Sequence, residues 1–153
     1  MKVKRKLKRK KENWIGAKEI SYYGIKFKSK LELYTYKKLK EYSIKFEYEK
    51  ESFILLNKFD FINKSMELFK KKKDKVFDWQ NISIRAITYT PDFTNLKSGW
   101  IIECKGHPND AFPIKWKLFK YYLTINNMNI DLFMPRNQKQ VNIVVEYIKN
   151  NYK

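Results

Sequence analysis

One stretch of the chain, residues 84–106, constrains the fold more than any other because it predicts a β-hairpin. Residues 84–93 (IRAITYTPDF) are rich in β-branched and aromatic residues and alternate in polarity, which is typical of a half-buried strand. Residues 94–99 (TNLKSG) have the composition of a turn, and residues 100–105 (WIIECK) form a second strand pattern. Such a hairpin needs further elements to cover its apolar side chains.

The flanking patterns predict those elements. Ser29 and Glu32 have the spacing of a capping box, which predicts a helix to about residue 42. Pro113 suits the first turn of a second helix ending near residue 125, and Asn137 can cap a third. Three other segments are predicted to be extended: 44–49 (IKFEYE), 52–56 (SFILL) and 130–134 (IDLFM). The order predicts one α/β domain, a small mixed β-sheet flanked by helices.

Helical periodicity predicts which side of each helix faces the core. The expected core residues of the first helix are Leu31, Tyr34, Leu39 and Tyr42. Those of the second are Ile114, Leu118, Tyr121, Tyr122 and Ile125, and those of the third are Val141, Val144, Val145 and Ile148.

The charge of the chain indicates a polyanionic partner, and we expect that partner to be nucleic acid. Lys and Arg number 34 against 16 Asp and Glu, which gives a net charge of +18. Residues 1–11 contain eight of these cations and no acid, so residues 12–153 remain basic, with 26 cations against the same 16 acids. We expect residues 1–11 to form a flexible arm that contacts DNA phosphates, through Lys4, Arg5, Lys8 and Arg9. The alternatives are a solvated tail that only aids solubility and a nuclear address.

Residues 57–83 interrupt the regular patterns and contain four consecutive lysines, 70–73. We interpret this segment as an insertion at a sheet edge, either a hairpin or a short helix. The lysine run is either a phosphate-contacting loop or a solvated charge cluster.

Other features exclude whole classes of protein. The single cysteine, Cys104, excludes a disulfide framework and a zinc site built from cysteines, and fits a reducing compartment. No apolar run approaches the roughly 18 residues of a membrane span, and no apolar segment follows the basic N-terminus as in a secretory signal. The sequence therefore predicts a cytoplasmic protein that is not in a membrane.

The predicted hairpin brings together three residues with a recognisable chemistry. Asp92 ends the first strand, Glu103 lies in the facing strand, and Lys105 is on the same face as Glu103. Two carboxylates can hold a hard divalent cation such as Mg²⁺, and a neighbouring ammonium can orient a water and neutralise charge on a phosphate. The alternative is a Glu103–Lys105 ion pair on an exposed edge, although a glutamate within an apolar run is costly to bury without partners.

These residues resemble the PD-(D/E)xK nuclease superfamily, with Pro91-Asp92 as its PD and Glu103-Cys104-Lys105 as its (D/E)xK. Within it the chain looks similar to phage endonuclease I-type Holliday junction resolvases and to uncharacterised phage nucleases. The likeness covers about residues 23–133. Its matching segments are 27–32 (FKSKLE), 45–49 (KFEYE), 89–93 (YTPDF) and 102–106 (IECKG).

The resemblance implies a restriction-endonuclease-like αβββαβ core and a Mg²⁺-dependent endodeoxyribonuclease, with Mn²⁺ as a substitute. It implies Asp92, Glu103 and the Cys104 backbone carbonyl as metal ligands, Lys105 as a catalytic residue, and Glu32 as a further catalytic residue that completes the metal site. Without the resemblance, Glu32 would be interpreted as part of the helix cap. The two roles conflict, because a carboxylate that binds the metal cannot also fold back on Ser29. The resemblance also implies branched DNA as the substrate, a homodimer, and the host cytoplasm if the protein is phage-encoded.

The sequence leaves two rival functions open. One is a nuclease acting on linear or single-stranded DNA, and the other is a basic nucleic-acid-binding module with a vestigial site. Lys115, Lys117 and Lys120 on the second helix are candidates to line a DNA groove, or else form a solvated face. His107 contacts phosphate, assists proton transfer or is incidental.

Overall fold

The computed structural model describes residues 19–71, 74–80, 82–106 and 111–152, which form an α/β domain. Within these residues there are three helices: α1 (Lys30–Glu41), α2 (Phe112–Ile125) and α3 (Gln138–Asn151). The strands before the insertion are β1 (Ile20–Tyr22), β2 (Ile25–Phe27), β3 (Glu47–Tyr48) and β4 (Phe53–Leu56). Those of the insertion are β5 (Phe59–Asp60), β6 (Ser65–Lys71), β7 (Asp74–Gln80) and β8 (Ser83–Ile84). The remaining strands are β9 (Ile87–Tyr89), β10 (Phe93–Asn95), β11 (Trp100–Ile102) and β12 (Asp131–Phe133).

A four-stranded mixed sheet in the order β12-β11-β10-β3 is the centre of the domain. β11 pairs in parallel with β12, whereas β10 is antiparallel to both of its neighbours. Successive β11 residues face opposite sides: Ile102 packs with α1 and α3, and Ile101 packs with α2. The prediction of a small mixed sheet flanked by helices is confirmed.

The predicted hairpin exists, but its first strand is broken. Residues 84–93 do not form one strand, because β9 pairs with β4 in a separate sheet and only β10 pairs with β11. Pro91 lies at the break, and a proline cannot donate the hydrogen bond that a continuous ladder requires. The predicted strand over 44–49 is likewise reduced to β3.

The helix caps are confirmed, whereas the buried faces of α1 and α2 were predicted only in part. Ser29 and Asn137 accept the hydrogen bonds expected of N-caps. The buried residues of α1 are Glu32, Thr35 and Leu39, and Tyr42 is exposed. Those of α2 are Phe112, Phe119 and Leu123, while Ile114, Tyr121 and Ile125 are exposed. Both helices carry apolar side chains on more than one face, so periodicity alone did not select the packed one. In α3, Val141, Val145 and Ile148 are buried as predicted.

The insertion forms strands, which confirms the hairpin and not the short helix among its two predicted alternatives. β6 and β7 make a seven-residue antiparallel ribbon, and β5 pairs with β8 at its base.

A hairpin of β1 and β2 before α1 was not predicted; its turn contains Tyr23 and Gly24, both with positive φ. The predicted arm, residues 1–11, lies outside the described residues. None of the described helices is both long and apolar enough to cross a bilayer.

Candidate functional site

Asp92 and Glu103 lie beside each other at one end of the β10–β11 pair. The last pair of the ladder is Phe93 with Ile102, so Asp92 and Glu103 occupy the next opposing positions. Both side chains are buried, with exposed fractions of 7% for Asp92 and 4% for Glu103. The Cys104 N–H donates to Asp92 Oδ2 at 2.6 Å, which fixes this carboxylate against the neighbouring strand. The structure therefore brings the two predicted carboxylates together.

Lys105 completes the predicted group of three. Its Nζ lies 3.2 Å from Glu103 Oε1 and 4.5 Å from the centroid of the Phe112 ring. The other Glu103 oxygen, Oε2, accepts a 2.8 Å hydrogen bond from the Tyr89 hydroxyl. Lys105 thus sits between a carboxylate and the face of an aromatic ring, which favour the ammonium together.

The exposed-edge interpretation of Glu103 and Lys105 is wrong. β11 is an inner strand, and the parallel pairing continues beyond its end, since the Glu103 N–H donates to the Phe133 carbonyl at 2.9 Å and the Lys105 N–H to the Pro135 carbonyl at 3.1 Å. Glu103 lies just after β11 rather than within it, with neighbouring chain on both sides. A surface ion pair would have left its carboxylate in water.

The groups around Asp92 and Glu103 supply too little positive charge to offset the burial of both carboxylates. Burial raises the pKa of Asp92 well above its usual value, the nearby charges of Glu103 and Glu32 raise it further, and the Cys104 N–H and Lys105 oppose them. Burial also raises the pKa of Glu103, although Tyr89 and Lys105 favour its ionised form. Carboxylates perturbed in this way are characteristic of functional sites, where a bound cation can supply the missing charge.

Glu32 is held in the capping box. Its Oε1 accepts from the Ser29 hydroxyl at 2.7 Å, while its own N–H donates to Ser29 Oγ at 3.2 Å. Its Oε2 accepts from the Lys28 N–H at 2.9 Å and from the Tyr48 hydroxyl at 2.8 Å. Both oxygens are therefore engaged in a carboxylate that is only 5% exposed. The structure supports the cap, and a metal-binding role for Glu32 stays a prediction.

The Cys104 side chain takes part in the core rather than in the site. Its sulfur lies 3.2 Å from the Thr35 hydroxyl of α1, and burial raises the pKa of the thiol well above its usual value. The Cys104 carbonyl as a ligand stays a prediction. Within the described residues, no three His, Cys, Asp or Glu side chains converge as a ready-made metal cage.

Sequence reasoning missed three residues that support the site. Tyr89 binds Glu103, and Tyr48 binds Glu32. The Glu49 N–H donates to the Asp92 carbonyl at 2.9 Å, Glu49 has a φ of +45°, and its side chain pairs with Lys28. The motif YTPD places Tyr89 three residues before Asp92, but no sequence rule says that its hydroxyl reaches across to Glu103.

The other predicted binding residues are only partly described. Lys115 is half-buried and its Nζ donates to the Thr88 carbonyl at 3.3 Å, whereas Lys117 and Lys120 are exposed on α2. His107 and the four predicted arm residues, Lys4, Arg5, Lys8 and Arg9, lie outside the described residues.

Comparison with known proteins assigns a family but no activity. No curated protein and no solved structure matches the chain. Residues 12–139 match the profile of a family described as "Protein of unknown function (DUF1064)". Because this match covers most of the chain, including both site carboxylates, the protein belongs to the DUF1064 family.

Proposed function

We propose that this protein is a metal-dependent endodeoxyribonuclease that hydrolyses DNA phosphodiester bonds. One observation carries the proposal: two buried carboxylates, Asp92 and Glu103, meet at adjacent strand ends with the Lys105 ammonium 3.2 Å from one of them. Burying two like charges side by side is costly, and a fold retains such an arrangement when a function requires it. The resemblance to PD-(D/E)xK nucleases, whose motif falls on these same residues, supports the same chemistry.

The donor set fits a hard divalent cation. Asp92, Glu103 and the Cys104 carbonyl offer only oxygen atoms, which suit Mg²⁺ or Mn²⁺. Among the described contacts, none places a hydrogen bond on Asp92 Oδ1, so one carboxylate oxygen remains available. Mg²⁺ usually takes one or two protein carboxylates and fills its other positions with water and phosphate oxygens. Two carboxylates therefore suffice, and Glu32, whose oxygens already accept three hydrogen bonds, is not required.

Each residue then has a definite role. Asp92 and Glu103 hold the cation, which supplies a polarised water and charge neutralisation when bound. The Cys104 N–H orients Asp92, and Tyr89 orients Glu103. Lys105, held between Glu103 and the Phe112 ring, is the group that positions water and offsets negative charge on the phosphate.

The substrate is proposed from charge and resemblance. The large excess of Lys and Arg favours DNA, and the likeness to endonuclease I-type resolvases favours branched duplex cut by a homodimer. A nuclease for linear or single-stranded DNA uses the same site. The rival of a different class is a nucleic-acid-binding module with a vestigial site, and the full engagement of the Glu32 carboxylate favours that rival.

A cleavage panel tests the proposal. The purified protein is incubated with Mg²⁺ or Mn²⁺ and, side by side, a four-way junction, a linear duplex and a single strand. We expect Glu103→Gln and Lys105→Met to abolish cleavage while DNA binding persists, and Lys139→Met, an exposed control lysine on α3, to cut normally. Paired symmetric cuts confined to the junction indicate a resolvase, and cuts in every substrate indicate the general nuclease. No cleavage of any substrate with either metal would leave the binding module.

A further inference from the structure

The β6–β7 ribbon is the feature that the proposed site does not use. Its strands pair without interruption from Ser65 with Gln80 to Lys71 with Asp74. An isolated two-stranded hairpin is only marginally stable in water, and it is normally covered by other structure or by a partner. The ribbon is therefore a candidate surface for binding a partner.

The two faces of the ribbon differ in chemistry. Alternation along the strands places the opposing pairs Met66–Trp79 and Leu68–Phe77 on one face. The exposed fractions of Leu68, Phe77 and Trp79 are 62%, 62% and 60%, and that of Met66 is 42%. The described side chains of the other face are the opposing acids Glu67 and Asp78 and the half-buried Ser65 and Val76. We name the first the aromatic face of the ribbon: Met66, Leu68, Phe77 and Trp79.

Charge selects the partner for the aromatic face. Residues 70–75 contain five lysines and one aspartate. Register places the exposed Lys75 next in line after Phe77 and Trp79, so a cation continues the row that the aromatic residues begin. A second copy of the chain would bring another lysine-rich ribbon to the same place. A nucleic acid instead offers base rings for the aromatic residues and phosphates for the lysine.

The spacing also suits a nucleobase. Phe77 and Trp79 are two residues apart on the same face of a strand, which separates their Cα atoms by about 6.7 Å. Stacked bases are about 3.4 Å apart, so one base fits between two rings at that separation. Aromatic side chains beside a basic track are the usual means of binding unpaired strands.

We propose that the aromatic face binds unpaired nucleobases by stacking on Phe77 and Trp79, while Lys75 contacts the adjoining phosphate. This deepens the proposed function and rests on it, since it names unpaired DNA bases as the part of the substrate that the ribbon recognises. The face that carries Glu67 and Asp78 is turned away from the nucleic acid.

Binding measured without a divalent cation tests the proposal separately from cleavage. The full chain in EDTA is titrated into a 20-nucleotide single strand containing 2-aminopurine, and into the matched blunt duplex. The test variant is F77L/W79L, which keeps apolar side chains opposite Leu68 and Met66 but removes both rings. The matched control is Tyr121→Leu, an equally exposed aromatic residue on α2.

We expect F77L/W79L to bind the single strand at least about fivefold more weakly than the wild type, with the 2-aminopurine quenching lost. The affinity for duplex and its dependence on salt concentration should change little, since the lysines are retained. Tyr121→Leu should bind both DNAs as the wild type does. Unchanged single-strand affinity overturns the proposal, and so does an equal loss on both DNAs. Sedimentation that finds a wild-type dimer and a monomeric variant, with DNA affinity unchanged, assigns the face to a second copy instead. A selective loss of single-strand binding in a protein that cuts nothing would refute the nuclease and retain the ribbon as a base-binding site.

Discussion

Asp92→Asn should make the metal-free protein more stable and remove its stabilisation by Mg²⁺. Asp92 is 7% exposed, and the charges of Glu103 and Glu32 lie nearby. Asparagine has almost the same shape and keeps a carbonyl oxygen for the Cys104 N–H, which donates at 2.6 Å. The substitution therefore removes a buried charge without opening a cavity or losing that hydrogen bond.

The magnitude follows from desolvation and from mass action. A buried polar group without adequate partners costs about 1–3 kcal/mol, so we expect the free energy of unfolding to rise by about that amount. For a chain of this size each 1 kcal/mol shifts Tm by about 2–4 °C, which gives an increase of about 2–12 °C. Mg²⁺ at one hundred times its Kd should stabilise the wild type by about 2.7 kcal/mol and leave the variant nearly unchanged.

The same reasoning fixes the pH dependence. Because the pKa of Asp92 in the folded protein lies above its ordinary value of 3.8, its protonation stabilises the fold. That contribution is complete below about pH 4 and is lost as pH rises through the raised pKa. The advantage of Asp92→Asn over the wild type should therefore be largest at neutral pH and disappear in acid.

Thermal unfolding followed by circular dichroism, with EDTA or Mg²⁺ and at several pH values, measures these effects. Asp60→Asn is the matched control, since Asp60 is exposed on β5 and should give wild-type behaviour in every condition. A metal-free Asp92→Asn protein that is less stable than the wild type would refute the charge argument. Equal stabilisation of both proteins by Mg²⁺ would refute the metal assignment.

Three further predictions concern other parts of the molecule. Ser29→Ala should lower the free energy of unfolding by about 1 kcal/mol in chemical denaturation, because it removes the N-cap of α1; no loss would mean that other contacts fix the helix start. Tyr89→Phe should cost about 1–3 kcal/mol at neutral pH and slow cleavage more than it weakens DNA binding, because Glu103 loses its 2.8 Å donor; equal effects on both readouts would contradict the positioning role. Deletion of residues 1–11 should make the salt dependence of duplex binding shallower, by about 0.9 in log–log slope for each lost phosphate contact, and an unchanged slope would identify a passive tail.

Much of the fold was predictable because its signals are local. Caps, turns and strand alternation depend on neighbouring residues, and they correctly placed the starts of α1 and α3 at Ser29 and Asn137 and the β10–β11 hairpin. The break in the predicted strand was harder to predict from the sequence, because it depends on the pairing of β9 with β4, which is distant along the chain. The packed face of α2 was missed for a related reason: apolar residues occur around the helix, and only the sheet surface decides which of them are covered.

The sequence by itself determined that Asp92, Glu103 and Lys105 share one end of a hairpin, since turn length and strand period set which side chains are neighbours. It did not determine their surroundings. Only the tertiary structure decided that β11 is an inner strand, that Tyr89 of another sheet binds Glu103, and that both oxygens of Glu32 are held at the start of α1. Burial and long-range hydrogen bonds arise from elements that are distant along the chain, and they, rather than the motif, set the charge state of these carboxylates.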